Sequence, residues 1–117
     1  MQIELTAQRV AQNQSTFRNA NEQIEQRAEE LLDDTATPVP FICECPERTC
    51  TVITTLSLVE YEMVRSRGDR FLVVPGHEIC VIDDEEVATV AKRYERFSLM
   101  EKVGAAGEAA ERLDPRN

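Results

Sequence analysis

Three cysteines fall within eight residues, as Cys43, Cys45 and Cys50, and the chain's single histidine, His77, directly follows Pro75-Gly76. In an extended segment residues two apart share a face, so Cys43 and Cys45 can aim at one point. Pro46 to Thr49 supplies a turn that returns Cys50 beside them. Three converging thiols suit one structural Zn2+, which prefers soft tetrahedral ligands and displaces their protons on binding. The fourth ligand must come from elsewhere. His77, presented by a sharp turn, is one candidate; Cys80, three residues later, is the other. Glu78, beside His77, reads either as a residue that orients the imidazole from behind or as a solvated carboxylate.

Other chemistry fits less well. An iron–sulfur cluster on all four cysteines would need a spacing that matches neither common ferredoxin pattern. Small buried thiols can also act as simple core residues. A catalytic zinc on Cys43, Cys45 and His77, with Glu78 as base, would leave a position open for water. The chain lacks both the H-x-E with P-C-x-x-C signature of deaminases and the H-E-x-x-H of metalloproteases. Its four glycines form neither a phosphate loop nor a dinucleotide fingerprint. The reading is therefore non-enzymatic.

The elements that must carry these residues are legible in part. From about Leu5 to Asp33 there is no Pro or Gly, and Gln, Glu, Ala and Arg favour a long helix. Ile3, Val10, Phe17, Ile24 and Leu31 recur every seven residues, with Ala20, Ala28 and Leu32 beside them, giving a thin apolar stripe. Asn13 and Arg27 take the second heptad position, so the helix reads as lying along its own domain, with pairing to another chain as the alternative. Phe17, Arg18, Asn21 and Glu22 are its expected exposed partner-contact residues.

Residues 33–40, with two prolines, break the helix. Phe41-Ile42 reads as a strand into the cysteines, and 51–55 as its return. Ser57 and Glu60 form a capping box for a short helix whose buried face is Leu58, Tyr61, Met63 and Val64, with Gly68 as its stop. Residues 71–74 make a strand, and 79–82 another. The acidic run Asp83-Asp84-Glu85-Glu86 reads as a solvated loop or helix start. Residues 87–94 are ambiguous between helix and strand, leaning to a hairpin with a strand over 97–103. Residues 104–117 read as a polar tail with a frayed turn. The fold class is α+β: an N-terminal helix over 1–35, then a zinc-stabilised domain of short antiparallel strands and one capped helix over 36–103.

The 117 residues include 42% apolar but only 5% aromatic side chains and no Trp, a thin supply for a core that a metal staple would supplement. The net charge of −9 argues against nucleic acid and favours basic protein partners. No apolar run approaches the roughly 20 residues that cross a membrane. Nor does the N-terminus read as a signal peptide, so cytoplasmic, reduced thiols are expected.

The sequence resembles a family of small, uncharacterised bacterial proteins with a Cys-x-Cys-x4-Cys … Pro-Gly-His-Glu pattern. The resemblance covers about 17–102. It rests on Arg18, Asn21-Glu22 and Ile24, Cys43-Glu44-Cys45 and Cys50, Glu60-Tyr61 and Arg65, Phe71, Pro75-Gly76-His77-Glu78 and Glu101-Lys102, with Asp114-Pro115-Arg116 beyond. It implies that the three cysteines and the histidine are the fixed ligand set, with Cys80 peculiar to this chain. It implies no activity. The function expected is a zinc-binding protein-interaction module, regulatory in transcription or signalling. A thiol redox sensor using Cys80 is the alternative, and a homo-oligomer through the first helix is possible.

Overall fold

The computed structural model describes residues 7–47 and 49–116, with side chains from Gln12 onward. The long first helix, α1 (Ala7–Leu31), is followed by β1 (Val39–Ile42) and β2 (Ile53–Leu56), an antiparallel pair in which Val39 faces Leu56 and Ile42 faces Ile53. The second helix, α2 (Leu58–Val64), carries the full capping box: the Glu60 amide donates to Ser57 Oγ, and the Ser57 amide donates to the Glu60 carboxylate. The chain then makes β3 (Arg70–Val73), a small hairpin of β4 (Val81–Ile82) and β5 (Glu85–Glu86), and β6 (Ala88–Arg93) with β7 (Ser98–Lys102). The three-stranded sheet runs β3-β7-β6, all antiparallel. A last helix, α3 (Gly104–Arg112), closes the chain.

The α+β class expected from the sequence is thus the observed one, and residues 88–93 are strand. The acidic run is solvent-exposed with a turn at Asp83-Asp84, as expected of a loop, but its second half, Glu85-Glu86, is the short strand β5. Asp83 and Asp84 both take positive φ, at 52° and 63°, and form the two-residue turn between β4 and β5. Two left-handed residues match the right-handed twist of a hairpin, and Asp tolerates that region because its short side chain bonds locally.

Gly68 does not stop α2 by left-handed capping. The helix ends at Val64, with the Arg65 amide bonded back to Tyr61, and Gly68 does not have positive φ. A Cβ there would lie 2.7 Å from Asp114 Oδ2, so a larger residue would have to displace that carboxylate.

The stretch expected as a polar tail instead forms α3, which buries Ala106, Gly107, Ala109 and Ala110 against α1 and β7. Small side chains let the helices approach closely. A Cβ on Gly107 would meet the Lys102 carbonyl at 2.9 Å.

The stripe on α1 also differs. Ile3 and the side chain of Val10 lie outside the described residues. Phe17 and Ile24 are half-buried, while Leu31 is 66% exposed. The buried seam is instead Gln14, Arg18, Asn21, Glu25 and Ala28, whose alternating steps of four and three keep one helix face turned inward. The expectation that Arg18 and Asn21 are exposed for a partner is therefore corrected: both are fully buried, with their bonds inside the chain. Glu22 is likewise engaged, accepting from the Tyr61 hydroxyl at 3.1 Å, Arg65 Nε at 3.1 Å and Arg116 Nε at 2.6 Å.

Apolar packing completes the frame. Phe41 and Tyr61 stack with ring centroids 4.3 Å apart, joining β1 to α2. Among the described residues, no helix is long and apolar enough to cross a membrane.

Candidate metal centre

The Cys43–Cys45 segment continues β1 beyond its end. The Cys43 amide donates to the Val52 carbonyl at 2.9 Å, and the Glu44 amide to the Leu72 carbonyl at 2.9 Å on the edge of β3. Extended backbone alternates its side chains, so Cys43 and Cys45 share one side and Glu44 points to the other.

Glu44 is fully buried. Its carboxylate accepts from Asn21 Nδ2 at 2.8 Å and from the Leu72 amide at 3.0 Å. Gln14 Nε2 donates to the Glu44 carbonyl at 2.8 Å. Burial pushes the Glu44 carboxyl up to about 7 against the pull of those bonds and of the Arg18 charge. The polar seam of α1 thus clamps the back of the cysteine segment and fixes where its two sulfurs point.

The other two members arrive on turns. The Cys50 amide donates to the Glu47 carbonyl at 2.9 Å, closing the loop that returns Cys50. Gly76 has φ +95°, a left-handed conformation that glycine adopts without strain, and the His77 amide donates to the Val74 carbonyl at 2.9 Å. Ligand atoms of Cys43, Cys45, Cys50 and His77 all lie within 4.8 Å of one another. His77 Nδ1 is 3.6 Å from Cys43 Sγ and 3.6 Å from Cys50 Sγ. The four cysteines form no disulfide. This Cys3His group could hold a metal ion.

Burial pushes the Cys43 and Cys45 thiols up. The Val74 amide, donating to Cys43 Sγ at 3.2 Å, works in the opposite direction. Buried thiols of this kind stay protonated by themselves; a cation among them supplies the charge that favours thiolate.

His77, not Cys80, is the fourth member of the group. Cys80 is half-buried and packs against the same apolar cluster as Cys43, Cys45 and Phe71. Glu78 does not orient the imidazole. Its carboxylate accepts from the Gly76 amide at 2.8 Å, Ser98 Oγ at 2.8 Å and Arg93 Nη1 at 2.7 Å, so it braces the turn that presents His77. Burial tends to raise its pKa, but these bonds and the Arg93 charge outweigh that and hold the carboxyl below its ordinary value.

Sequence reasoning missed Gln14 and the role of Glu44. The strand alternation around Cys43-Glu44-Cys45 was a usable signal for Glu44, because two cysteines facing one way send the residue between them inward. Gln14 carried no such signal on a helix rich in glutamine.

No known protein family, curated protein or solved structure matches this chain.

Proposed function

We propose that this chain is a small zinc-binding module in which one structural zinc ion is held by Cys43, Cys45, Cys50 and His77, and whose role is to bind another protein. The observation that carries the metal reading is the 3.6 Å spacing of His77 Nδ1 from two sulfurs. Tetrahedral zinc with ordinary Zn–S and Zn–N bonds requires a sulfur-to-nitrogen distance of about 3.6 Å. A four-cysteine iron–sulfur cluster would need Cys80 where His77 stands. Four protein ligands close the coordination shell and leave no position for substrate, which supports a structural ion over a metalloenzyme.

The protein-binding role is supported by the acidic charge of −9, which favours basic partners. A regulatory setting, in transcription or signalling, suits such a module. We also infer kinship with the small bacterial proteins that share the Cys-x-Cys-x4-Cys … Pro-Gly-His-Glu pattern, on that sequence pattern alone.

Cobalt substitution tests the metal reading. Intense tetrahedral d–d bands with thiolate charge transfer, unchanged by added azide, are expected; bands that shift with azide would mean an open position and favour enzymatic chemistry. Affinity capture with the metal-loaded chain, against Cys45→Ser as control, tests the binding role. A partner retained only by the metal-loaded parent is expected, and none retained by either chain contradicts it.

Redox sensing is the second reading, favoured by Cys80 packing beside the group. Reversible oxidation that releases metal in the parent but not in Cys80→Ala would establish it.

A further inference from the structure

Apart from the cysteines, α1 carries two glutamates four residues apart, Glu25 and Glu29. That spacing stacks them on one helix face, where like charges repel. Glu62, on α2, joins them: one carboxylate oxygen from each of the three lies within 4.8 Å of the others. Such convergence is costly unless positive charge lies among the three.

Arg116 supplies part of that charge. Its Nη2 donates to Glu25 Oε1 at 2.8 Å, its Nη1 to Glu62 Oε2 at 2.8 Å and its Nε to Glu22 Oε1 at 2.6 Å. Arg65 is engaged by Glu22 and Asp114. These two guanidiniums are thus shared among Glu22, Glu25, Glu62 and Asp114 before Glu29 is added. The network keeps a surplus of negative charge.

Glu25 adds an independent sign of a missing ligand. Its side chain is only 6% exposed, and its Oε2 is buried without a hydrogen-bond partner. Arg116 takes Oε1, so Oε2 is the oxygen left for a ligand shared with Glu29 and Glu62. A buried carboxylate oxygen that no donor answers is costly, and a bound cation answers it. Oxygen-only donors select hard cations over zinc or copper. Spacings of up to 4.8 Å suit Ca–O bonds of about 2.4 Å better than Mg–O bonds of about 2.1 Å.

We propose that Glu25, Glu29 and Glu62 form a second cation site, for a hard divalent ion of the size of Ca2+, which ties α1 to α2 beside Arg116. No cysteine or histidine takes part, so the site stands or falls independently of the zinc reading.

The test is calorimetric titration of Ca2+ into the full chain, for the parent, Glu25→Gln, Glu29→Gln and the control Glu30→Gln. Glu29 and Glu30 are both exposed, so neither change threatens the fold. Glu30 pairs with Arg27 at 3.0 Å and stands outside the group. The parent and Glu30→Gln are expected to bind one Ca2+ with a Kd of about 0.1–1 mM, the range of weak calcium modules. Glu25→Gln and Glu29→Gln should each bind it about ten-fold more weakly or worse. Added Ca2+ should raise the melting temperature of the parent more than that of Glu29→Gln. No saturable binding by the parent up to about 10 mM Ca2+ overturns the proposal. So does a Ca2+ affinity within about two-fold of the parent in both Glu25→Gln and Glu29→Gln, which would place the ion elsewhere.

Discussion

Asn21 stands beside Ile42 as a neighbouring strand would: its Nδ2 donates to the Ile42 carbonyl at 2.8 Å and its Oδ1 accepts from the Ile42 amide at 2.8 Å. The same Nδ2 reaches the Glu44 carboxylate. One helix side chain thus satisfies the last residue of β1 and the residue between two cysteines. The long polar helix holds the cysteine segment through specific bonds.

Asn21→Leu is therefore expected to be severe. It leaves the Ile42 backbone and the Glu44 carboxylate short of partners in a buried site, which should cost about 3 kcal/mol. Urea denaturation of the metal-loaded chain measures this, and a loss below about 1 kcal/mol would show that water replaces the amide easily.

A second consequence concerns pH. Glu25 is 4% exposed; burial and the neighbouring Glu62 carboxyl push it from 4.5 up to about 8, against the charge of Arg116. A carboxyl raised in the folded state binds its proton more tightly there than in the unfolded chain. Its contribution is therefore full below pH 4.5 and is lost as the pH climbs toward about 8. Glu25→Gln should gain stability relative to the parent across that window, read as the difference between their melting temperatures at each pH. A difference independent of pH would mean that Glu25 is ionised throughout.

How much of this was legible depended on how local the cause was. Ser57 and Glu60 sit three residues apart and bond each other, so the α2 start could be read directly. The cysteines and His77 carry their chemistry in their type, and the flanking turn residues say where they can point. Arg18 was not legible, because its carbonyl partner on Ala110 lies 92 residues away and an arginine on a polar helix looks solvated. Residues 104–112 were misread for a related reason: alanine and glycine give little apolar signal, yet they permit the close approach that buries the helix.

Gly107→Ala tests that close approach. The added Cβ would sit 2.9 Å from the Lys102 carbonyl oxygen, a backbone atom in the sheet. We expect a loss of about 1–3 kcal/mol despite the better helix propensity of alanine. An unchanged or raised melting temperature would show that α3 slides along β7 freely.

The turn at Asp83 and Asp84 offers an opposite change. Replacing the pair by Asp83→Asn with Asp84→Gly supplies residues that favour two positive φ angles and should add about 1 kcal/mol. Thermal denaturation would register the gain, with metal content unaltered. A loss instead would assign the aspartates a tertiary role.

The most direct test of the account is zinc content by elemental analysis, on protein purified without added metal, for the parent, His77→Ala and Cys80→Ala. We expect one zinc per chain in the parent and in Cys80→Ala, and weakened retention in His77→Ala. Iron in the parent, no metal in any of the three, or zinc lost from Cys80→Ala but kept by His77→Ala would contradict it.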